Sequence, residues 1–180
     1  MRITYLYTLI ILFMATLCCY SQNHMKFMGL SIDGHVDSFS QKLISKGFSK
    51  ENGDVPNAYC LAGKFYDEEA HIQVNYDPSN HIVYSVSVYI IKNALISAYS
   101  IQREILRAIE DKYKYEKKSV NPTLYQSEYY IFDGLDPVGL IQTFIIDSKI
   151  VPTNKEAMLS IIYTDVENYL NYENRKRNDI

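Results

Sequence analysis

Six strand-like runs of apolar and aromatic residues constrain the fold of this chain more than any other feature of its sequence. In the run 71–76, Ile72, Val74 and Tyr76 share one face, and the polar residues between them share the other. This alternation is typical of a strand in an antiparallel sheet with one wet face. The six predicted strands are 58–66, 71–76, 82–91, 124–132, 140–146 and 157–164.

A predicted helix precedes each group of three strands. The first follows the Asp33-Gly34 turn, is capped by His35 or Asp37, and ends before Gly47, which can adopt the left-handed conformation. Its apolar positions are Val36, Phe39, Leu43 and Ile44. The second helix covers 94–113, and its apolar stripe consists of Ala98, Ile101, Ile105, Leu106, Ile109 and Tyr113.

The order of these elements predicts an α+β fold of the form helix-βββ-helix-βββ. One antiparallel sheet would carry both helices packed on its apolar face. Neither half of the chain, 27–91 or 93–165, offers both a wide sheet and cover for it, so residues 22–165 are predicted to form a single domain. The tail 166–180 is polar and is predicted to be weakly helical or frayed.

The first 21 residues have the features of a secretory signal peptide. Arg2 supplies a positive charge, residues 3–17 are apolar, and small residues stand at Cys19 and Ser21. This pattern predicts cleavage between Ser21 and Gln22. A membrane-spanning helix needs about 20 apolar residues, more than this run provides. The sequence therefore predicts export to the periplasm or the cell exterior, with no membrane span after cleavage.

The same segment allows two alternatives to cleavage: a retained membrane anchor, and lipidation at Cys18 or Cys19. Lipidation normally requires a small residue directly before the modified cysteine, whereas Leu17 precedes Cys18. After cleavage Cys60 is the one remaining cysteine, which excludes an internal disulfide. Cys60 is predicted to be a small buried hydrophobic residue.

The composition excludes several classes of protein. The chain has 18 Lys and Arg residues against 21 Asp and Glu, for a net charge of -3, and it is 47% hydrophobic. These values are ordinary for a globular domain and give no general attraction for nucleic acid. They also exclude low-complexity disorder and a multispan membrane protein.

Common catalytic and cofactor motifs are absent, including phosphate-binding loops, dinucleotide fingerprints, nucleophile elbows and zinc-protease motifs. No catalytic residue, metal site or cofactor is therefore predicted. The densest polar cluster, Asp67-Glu68-Glu69 with His71, is expected to be a solvated hairpin loop. It also supports an alternative, in which the protein is a small envelope hydrolase or other enzyme that uses residues such as Asp67, Glu69 and His71.

Tyrosine is the most unusual part of the composition, with 17 Tyr and no Trp. Tyr125 and Tyr129 are expected to share a strand face opposite to Tyr130. Because tyrosine combines a large apolar ring with a polar tip, Tyr125 and Tyr129 are the predicted binding residues for a protein or a glycan. The competing interpretation is that these rings fill the core and reflect strand propensity. The predicted function is a non-catalytic binding or interaction domain of the bacterial envelope.

The start of the chain after the signal resembles a group of small exported bacterial proteins of unknown function. The resemblance lies in Gly29-Leu30-Ser31-Ile32-Asp33-Gly34, followed by a helix that ends at Lys46-Gly47-Phe48 and by a strand meander, over residues 25–91. It implies export and no particular activity. The doubled helix-and-meander plan is also similar to the β-lactamase-inhibitor-protein-like fold. This second likeness is architectural and supplies no binding residues.

Overall fold

The computed structural model describes residues 23–53, 55–118, 125–147 and 157–178. These residues form three helices, an eight-stranded antiparallel sheet and a two-stranded ribbon. The predicted α+β class is therefore confirmed. The core is one continuous cluster of buried side chains between the two predicted helices and one face of the large sheet.

The helices are α1 (Val36–Ile44), α2 (Leu95–Lys112) and α3 (Val166–Asn178). The ribbon pairs β1 (Lys26–Phe27) with β2 (Leu30–Ser31). The strands of the large sheet are β3 (Ser49–Lys50), β4 (Ala58–Phe65), β5 (Glu68–Tyr76), β6 (Val83–Lys92), β7 (Tyr115–Lys118), β8 (Ser127–Asp133), β9 (Asp136–Asp147) and β10 (Ala157–Asp165).

Two four-stranded meanders lie side by side in the large sheet, whose order is β3-β4-β5-β6-β10-β9-β8-β7. They join at the centre, where β6 pairs with β10. Helix α2 carries the chain from the central strand β6 to the far edge at β7, and it packs on β6, β9 and β10. Helix α1 packs on β5. Each half of the chain thus contributes one helix and one meander.

Helix α1 begins and ends at the residues that the sequence indicates. His35 is its N-cap, and the His35 ring accepts a hydrogen bond from the Asp37 backbone nitrogen at 3.3 Å. Phe39 and Leu43 on the inner face are buried. Gly47, two residues after the C-cap, has a φ of 101°, a conformation that favours glycine.

Alternation along the strands divides the large sheet into a helix face and an opposite face. On the helix face, Val88 of β6 pairs with Ile161 of β10, and both are fully buried. On the opposite face, Ser87 pairs with Ile162. The two-residue period therefore places an apolar layer under the helices and a mixed layer of serine, tyrosine and aliphatic side chains on the other side.

The chain segment before α1 is fastened to the end of β10. Asp165 accepts a hydrogen bond from the Met25 backbone nitrogen at 2.9 Å, and its carboxylate lies 3.0 Å from the His24 ring nitrogen. Met25 is buried against Gly139, where a Cβ atom would lie only 2.4 Å from the Met25 sulfur. These contacts make Asp165 the anchor of the N-terminal segment.

The structure has more regular elements than the sequence patterns predict. The connector with Lys117 and Lys118 forms the edge strand β7, which pairs with β8 through its backbone. The β7 sequence shows no alternation of apolar and polar residues, because an edge strand can be polar on both faces. The tail, which was predicted to be weakly helical or frayed, forms the 13-residue helix α3.

Several predictions concern residues outside the described ranges. They include the signal segment 1–21 with its alternatives at Cys18 and Cys19, and the first residue of the predicted strand 124–132. Within the ranges that the structure does describe, none of the three helices is both long enough and apolar enough to cross a membrane.

Candidate functional site

A groove opens between helix α3 and the opposite face of the large sheet, with a volume of about 580 Å³. We call it the α3 groove and define it by its lining residues. The polar ones are Gln73, Asn75, Ser85, Ser87, Gln142 and Thr164. The aromatic ones are Tyr84, Tyr89, Tyr130 and Tyr169, and the aliphatic ones are Leu140, Ile162, Val166 and Leu170. Five strands and one helix therefore build a single concave surface.

None of the lining residues of the α3 groove in the described part of the chain is charged. Charged groups that contact this lining include Glu128, which accepts a hydrogen bond from Gln142, and Lys118, which lies over the Tyr130 ring. The Asn75 amide donates to the hydroxyl oxygens of Ser85 at 3.0 Å and Ser87 at 3.1 Å. Each serine retains its own hydroxyl hydrogen to donate. The Tyr89 hydroxyl donates to the Gln73 side-chain oxygen at 3.3 Å. The floor thus offers neutral donors and acceptors held in place by one another.

The first turn of α3, which forms one wall of the groove, is tied to the sheet by Asp165 and Asn168. Asp165 acts as the helix cap, because its carboxylate accepts a hydrogen bond from the Asn168 backbone nitrogen at 2.9 Å. The Asn168 side-chain amide in turn donates to the backbone oxygens of Ile32 at 3.0 Å and Val83 at 3.1 Å. This double attachment fixes where α3 starts relative to β6.

Three tyrosine rings join the middle of α3 to β6. The Tyr172 ring stacks on Tyr84 with centroids 4.7 Å apart and planes 8° from parallel, and Tyr169 lies 5.9 Å from Tyr84. Burial, together with the neighbouring Tyr172 and Tyr169, raises the pKa of Tyr84 to about 12. Tyr84 is therefore neutral at physiological pH. Tyr169 is 40% exposed, so its side chain can contact a ligand.

The last part of α3 is held by an ion pair with the turn after β5. The Arg175 guanidinium donates to the buried Asp77 carboxylate at 2.6 Å. Ser79 donates to the same carboxylate through its backbone nitrogen at 2.8 Å and its hydroxyl at 2.7 Å. Burial alone would raise the pKa of Asp77, but the hydrogen bonds from Ser79 and Arg175 outweigh it and hold this pKa below its usual value. Asp77 therefore stays charged opposite Arg175.

Replacing Asp77 with asparagine is expected to lower the free energy of unfolding by about 1–2 kcal/mol near neutral pH, because Arg175 loses its charged partner. The lowered folded pKa sets the sign of the pH dependence. The contribution of ionised Asp77 to the free energy of unfolding is complete above its unfolded pKa of about 3.9 and disappears as the pH falls through its folded pKa. Urea unfolding of the original protein and of Asp77→Asn, near neutral pH and in acid, measures this contribution. Equal stability at neutral pH would contradict the ion pair.

The two predicted binding residues, Tyr125 and Tyr129, lie away from the α3 groove. Tyr129 is fully buried in the core on the helix face, and its hydroxyl donates to Glu110 at 2.8 Å. Tyr125 precedes β8, is 40% exposed, and meets Tyr99 edge to face with ring centroids 5.4 Å apart. The ring of Tyr129 is thus not presented to a partner. A binding role for Tyr125 stays a prediction.

The residues of the hydrolase alternative lie outside the α3 groove, toward the β4–β5 turn, and His71 pairs in the sheet with Tyr89 at the edge of the groove lining. His71 is half exposed, and its ring nitrogen lies 2.9 Å from both carboxylate oxygens of Glu51. Asp67 occupies the β4–β5 turn with a φ of 61°, and Glu69 is exposed. None of the three lines the α3 groove.

Cys60 is buried and makes no disulfide, which confirms the prediction of a small buried hydrophobic residue. Burial, with a smaller contribution from Glu51, raises the pKa of its thiol, so the reactive thiolate is disfavoured. In the part of the chain that the structure describes, no group of three or more His, Cys, Asp or Glu residues is placed to hold a metal ion.

The α3 groove was not predicted, because its lining comes from serine, glutamine and asparagine residues scattered over several strands. The alternation of Ser85 and Ser87 in β6 indicated a wet face, but only the fold shows what faces it. No family model, curated protein or solved structure matches the chain. The resemblances to small exported bacterial proteins and to the β-lactamase-inhibitor-protein-like fold therefore stay predictions.

Proposed function

We propose that this protein is an exported, non-catalytic binding domain of the bacterial envelope whose α3 groove holds an uncharged, hydroxyl-rich ligand such as a glycan. One observation carries the proposal: the described lining of the groove holds no charged residue and combines fixed amide and hydroxyl groups with exposed tyrosine. Sugar hydroxyls both donate and accept hydrogen bonds, and the C–H faces of a sugar ring pack well on aromatic rings.

The polar groups of the groove are already ordered before any ligand arrives. Ser85 and Ser87 belong to the central strand β6, and Asn75 holds both of their hydroxyl oxygens. Binding then costs little side-chain ordering, and this preorganisation favours affinity. A charged ligand would find no counter-ion among the lining residues described, and it would lose hydration on entering.

Export is the second part of the proposal and rests on the apolar segment that precedes Ser21. Cleavage between Ser21 and Gln22 would leave the contacts of His24 and Met25 with Asp165 in place. The mature protein would thus keep the anchor of its N-terminal segment. Mass measurement of the protein recovered from the producing cell tests this cleavage, and a mass that includes residues 1–21 would contradict it.

Replacing Tyr169 with alanine is expected to weaken binding of a neutral glycan by about tenfold or more, since exposed tyrosines are typical sites of concentrated binding energy. The measurement is a screen of the purified protein on an array of neutral and acidic glycans, followed by calorimetric titration of the best neutral binder. Tyr99→Ala is the matched control. Tyr99 is also a half-exposed helical tyrosine, 37% exposed, but it lies on α2 outside the groove.

Two results would contradict the glycan proposal. One is that no neutral glycan binds, and the other is that Tyr169→Ala and Tyr99→Ala bind equally well. A cross-linked pull-down from the envelope, read by mass spectrometry, addresses the competing protein partner. Capture of one protein by the original chain but not by Tyr169→Ala would support a binding function of the α3 groove, with a protein as its ligand in place of a glycan.

The hydrolase alternative has less support from the geometry. A catalytic His needs a positioned acceptor or nucleophile in a cleft, whereas His71 is directed to Glu51 on an exposed part of the sheet. We therefore propose no catalytic role for Asp67, Glu69 or His71.

A further inference from the structure

A second cavity, of about 790 Å³, lies between helix α2 and the strands β7 and β8. We call it the basic cavity. Three cationic side chains face it: Arg103 and Arg107 from α2, and Lys117 from β7. Lys118 also borders the cavity, but its ammonium group lies 4.7 Å from the centroid of the Tyr130 ring, on the other face of the sheet. Glu110 is the one carboxylate among its described lining residues. This concentration of positive charge stands out because the whole chain carries a net charge of -3.

Helical spacing places both arginines on the same side of α2. Arg103 and Arg107 are four residues apart and therefore neighbours on the helix surface. Both are exposed, and neither forms an ion pair with another residue in the described ranges. The guanidinium groups thus keep their planar sets of donors available for an oxyanion.

Lys117 brings a third positive charge to the cavity and neutralises its carboxylate. Its ammonium group lies 3.3 Å from the Glu110 carboxylate and 5.1 Å from the centroid of the Tyr129 ring. Glu110 also accepts a hydrogen bond from the Tyr129 hydroxyl. Since Glu110 is engaged twice, it is not left as an isolated negative charge facing an incoming anion.

The other described lining residues of the basic cavity are polar or aromatic, apart from the aliphatic Leu106. Gln126 and Ser127 supply uncharged hydrogen-bonding groups at the start of β8. The Tyr99 and Tyr125 rings meet at its rim. The Gln102 amide donates to the buried Thr143 hydroxyl at 3.1 Å, which links the cavity wall to the core.

We propose that the basic cavity binds a small ligand with a dianionic phosphate or pyrophosphate group, which Arg103 and Arg107 hold between them, with Lys117 beside it. Two arginines favour a tetrahedral dianion over a monovalent carboxylate, because its oxygens can accept from both guanidinium forks. This site is independent of the α3 groove, whose proposed ligand is neutral.

Titration of the isotope-labelled protein with sodium pyrophosphate at constant ionic strength, followed by NMR, tests the proposal. We expect saturable shifts concentrated at Arg103, Arg107 and Lys117. The double variant Arg103→Gln/Arg107→Gln should weaken pyrophosphate binding by at least roughly tenfold, because charge-assisted hydrogen bonds are lost. Acetate at the same ionic strength should bind more weakly than pyrophosphate.

The matched control removes two positive charges elsewhere, in Lys46→Gln/Arg177→Gln. Both residues are exposed, one after α1 and the other near the end of α3. The affinity of this control variant for pyrophosphate should stay within about twofold of that of the original chain, since distant exposed charges are screened by salt. Equal weakening by the two double variants, absence of saturable shifts, or acetate binding as tight as that of pyrophosphate would each overturn the proposal.

Discussion

Replacing Tyr129 with alanine is expected to lower the free energy of unfolding by about 3–5 kcal/mol, the loss typical of deleting a fully buried aromatic ring. Tyr129 has no exposed surface and lies between the sheet and the last turns of α2. Truncation would leave a cavity in the core and remove a donor from Glu110. Urea denaturation followed by circular dichroism gives the measurement.

Two variants separate the role of the Tyr129 ring from that of its hydroxyl and from exposed tyrosines in general. Tyr129→Phe keeps the ring and should cost only about 0.5–1.5 kcal/mol, the net value of one hydrogen bond. Tyr125→Ala removes a ring that is 40% exposed and should cost less than Tyr129→Ala. If Tyr129→Ala were as stable as Tyr125→Ala, the ring would not lie in the core.

Replacing Asp165 with alanine is expected to lower the free energy of unfolding by about 2–4 kcal/mol. Asp165 is 1% exposed and serves two segments at once. Its carboxylate accepts from the backbone nitrogens of Met25 and Asn168, so alanine would leave both nitrogens without this partner. Asp136→Ala, at an exposed hairpin position, is the control for loss of an aspartate.

The effect of Asp165 should also depend on pH with a defined sign. Burial raises the pKa of Asp165, even though the bonds from Asn168, Met25 and His24 act in the opposite direction. When the pKa is raised in the folded state, proton binding by Asp165 contributes most to the free energy of unfolding below the unfolded pKa of about 3.9. This contribution is lost as the pH rises through the folded pKa. The stability gap between the original chain and Asp165→Ala should therefore narrow as the pH rises. A gap that widens would contradict the raised pKa.

Proteolysis distinguishes the two attachments that Asp165 makes. If Asp165 anchors both the N-terminal segment and α3, limited proteolysis of Asp165→Ala should cut near Met25 and within α3 faster than in the original chain, because local opening exposes the backbone. Cleavage of Asp136→Ala should follow the original pattern. Unchanged cleavage in Asp165→Ala would show that neither segment depends on this carboxylate.

The first meander and α1 were predictable because their signals are local. The His35 cap, the Phe39 and Leu43 spacing and the left-handed Gly47 are contained within one short segment. The alternation around Ile72 and Val74 reports burial on one face without reference to any partner strand. Short-range steric and hydrophobic preferences were sufficient for these elements.

Helix α3 could not be predicted by the same means, because its contacts are polar or aromatic. Its attachments come from Asn168, Tyr172 and Arg175, which lie three or four residues apart but form no aliphatic stripe. In isolation such a segment has little to bury. It is stabilised as a helix because Tyr84 and Asp77, far away in the sequence, meet it on the sheet.

The positions of the tyrosines also depend on long-range contacts that the local sequence does not reveal. The sequence indicated that tyrosine was the residue most suited to binding, but Tyr129 is enclosed in the core while Tyr169, in the supposed tail, lines the groove. Strand propensity is shared by core and surface tyrosines. Only the position of the helices relative to the two sheet faces decides which ring meets solvent.

The sequence by itself determined the α+β class, the two core helices and the central strands, since hydrophobic periodicity and turn residues are properties of neighbouring positions. The tertiary structure alone decided the order of the strands, the polar edge strands, the docking of α3 and the composition of both cavities. The physical reason is that the residues of each cavity come from different elements. Ser87 and Tyr169 are distant along the chain and become neighbours only when the two meanders join at β6 and β10. Arg103 and Lys117 become neighbours when α2 packs against β7 and β8.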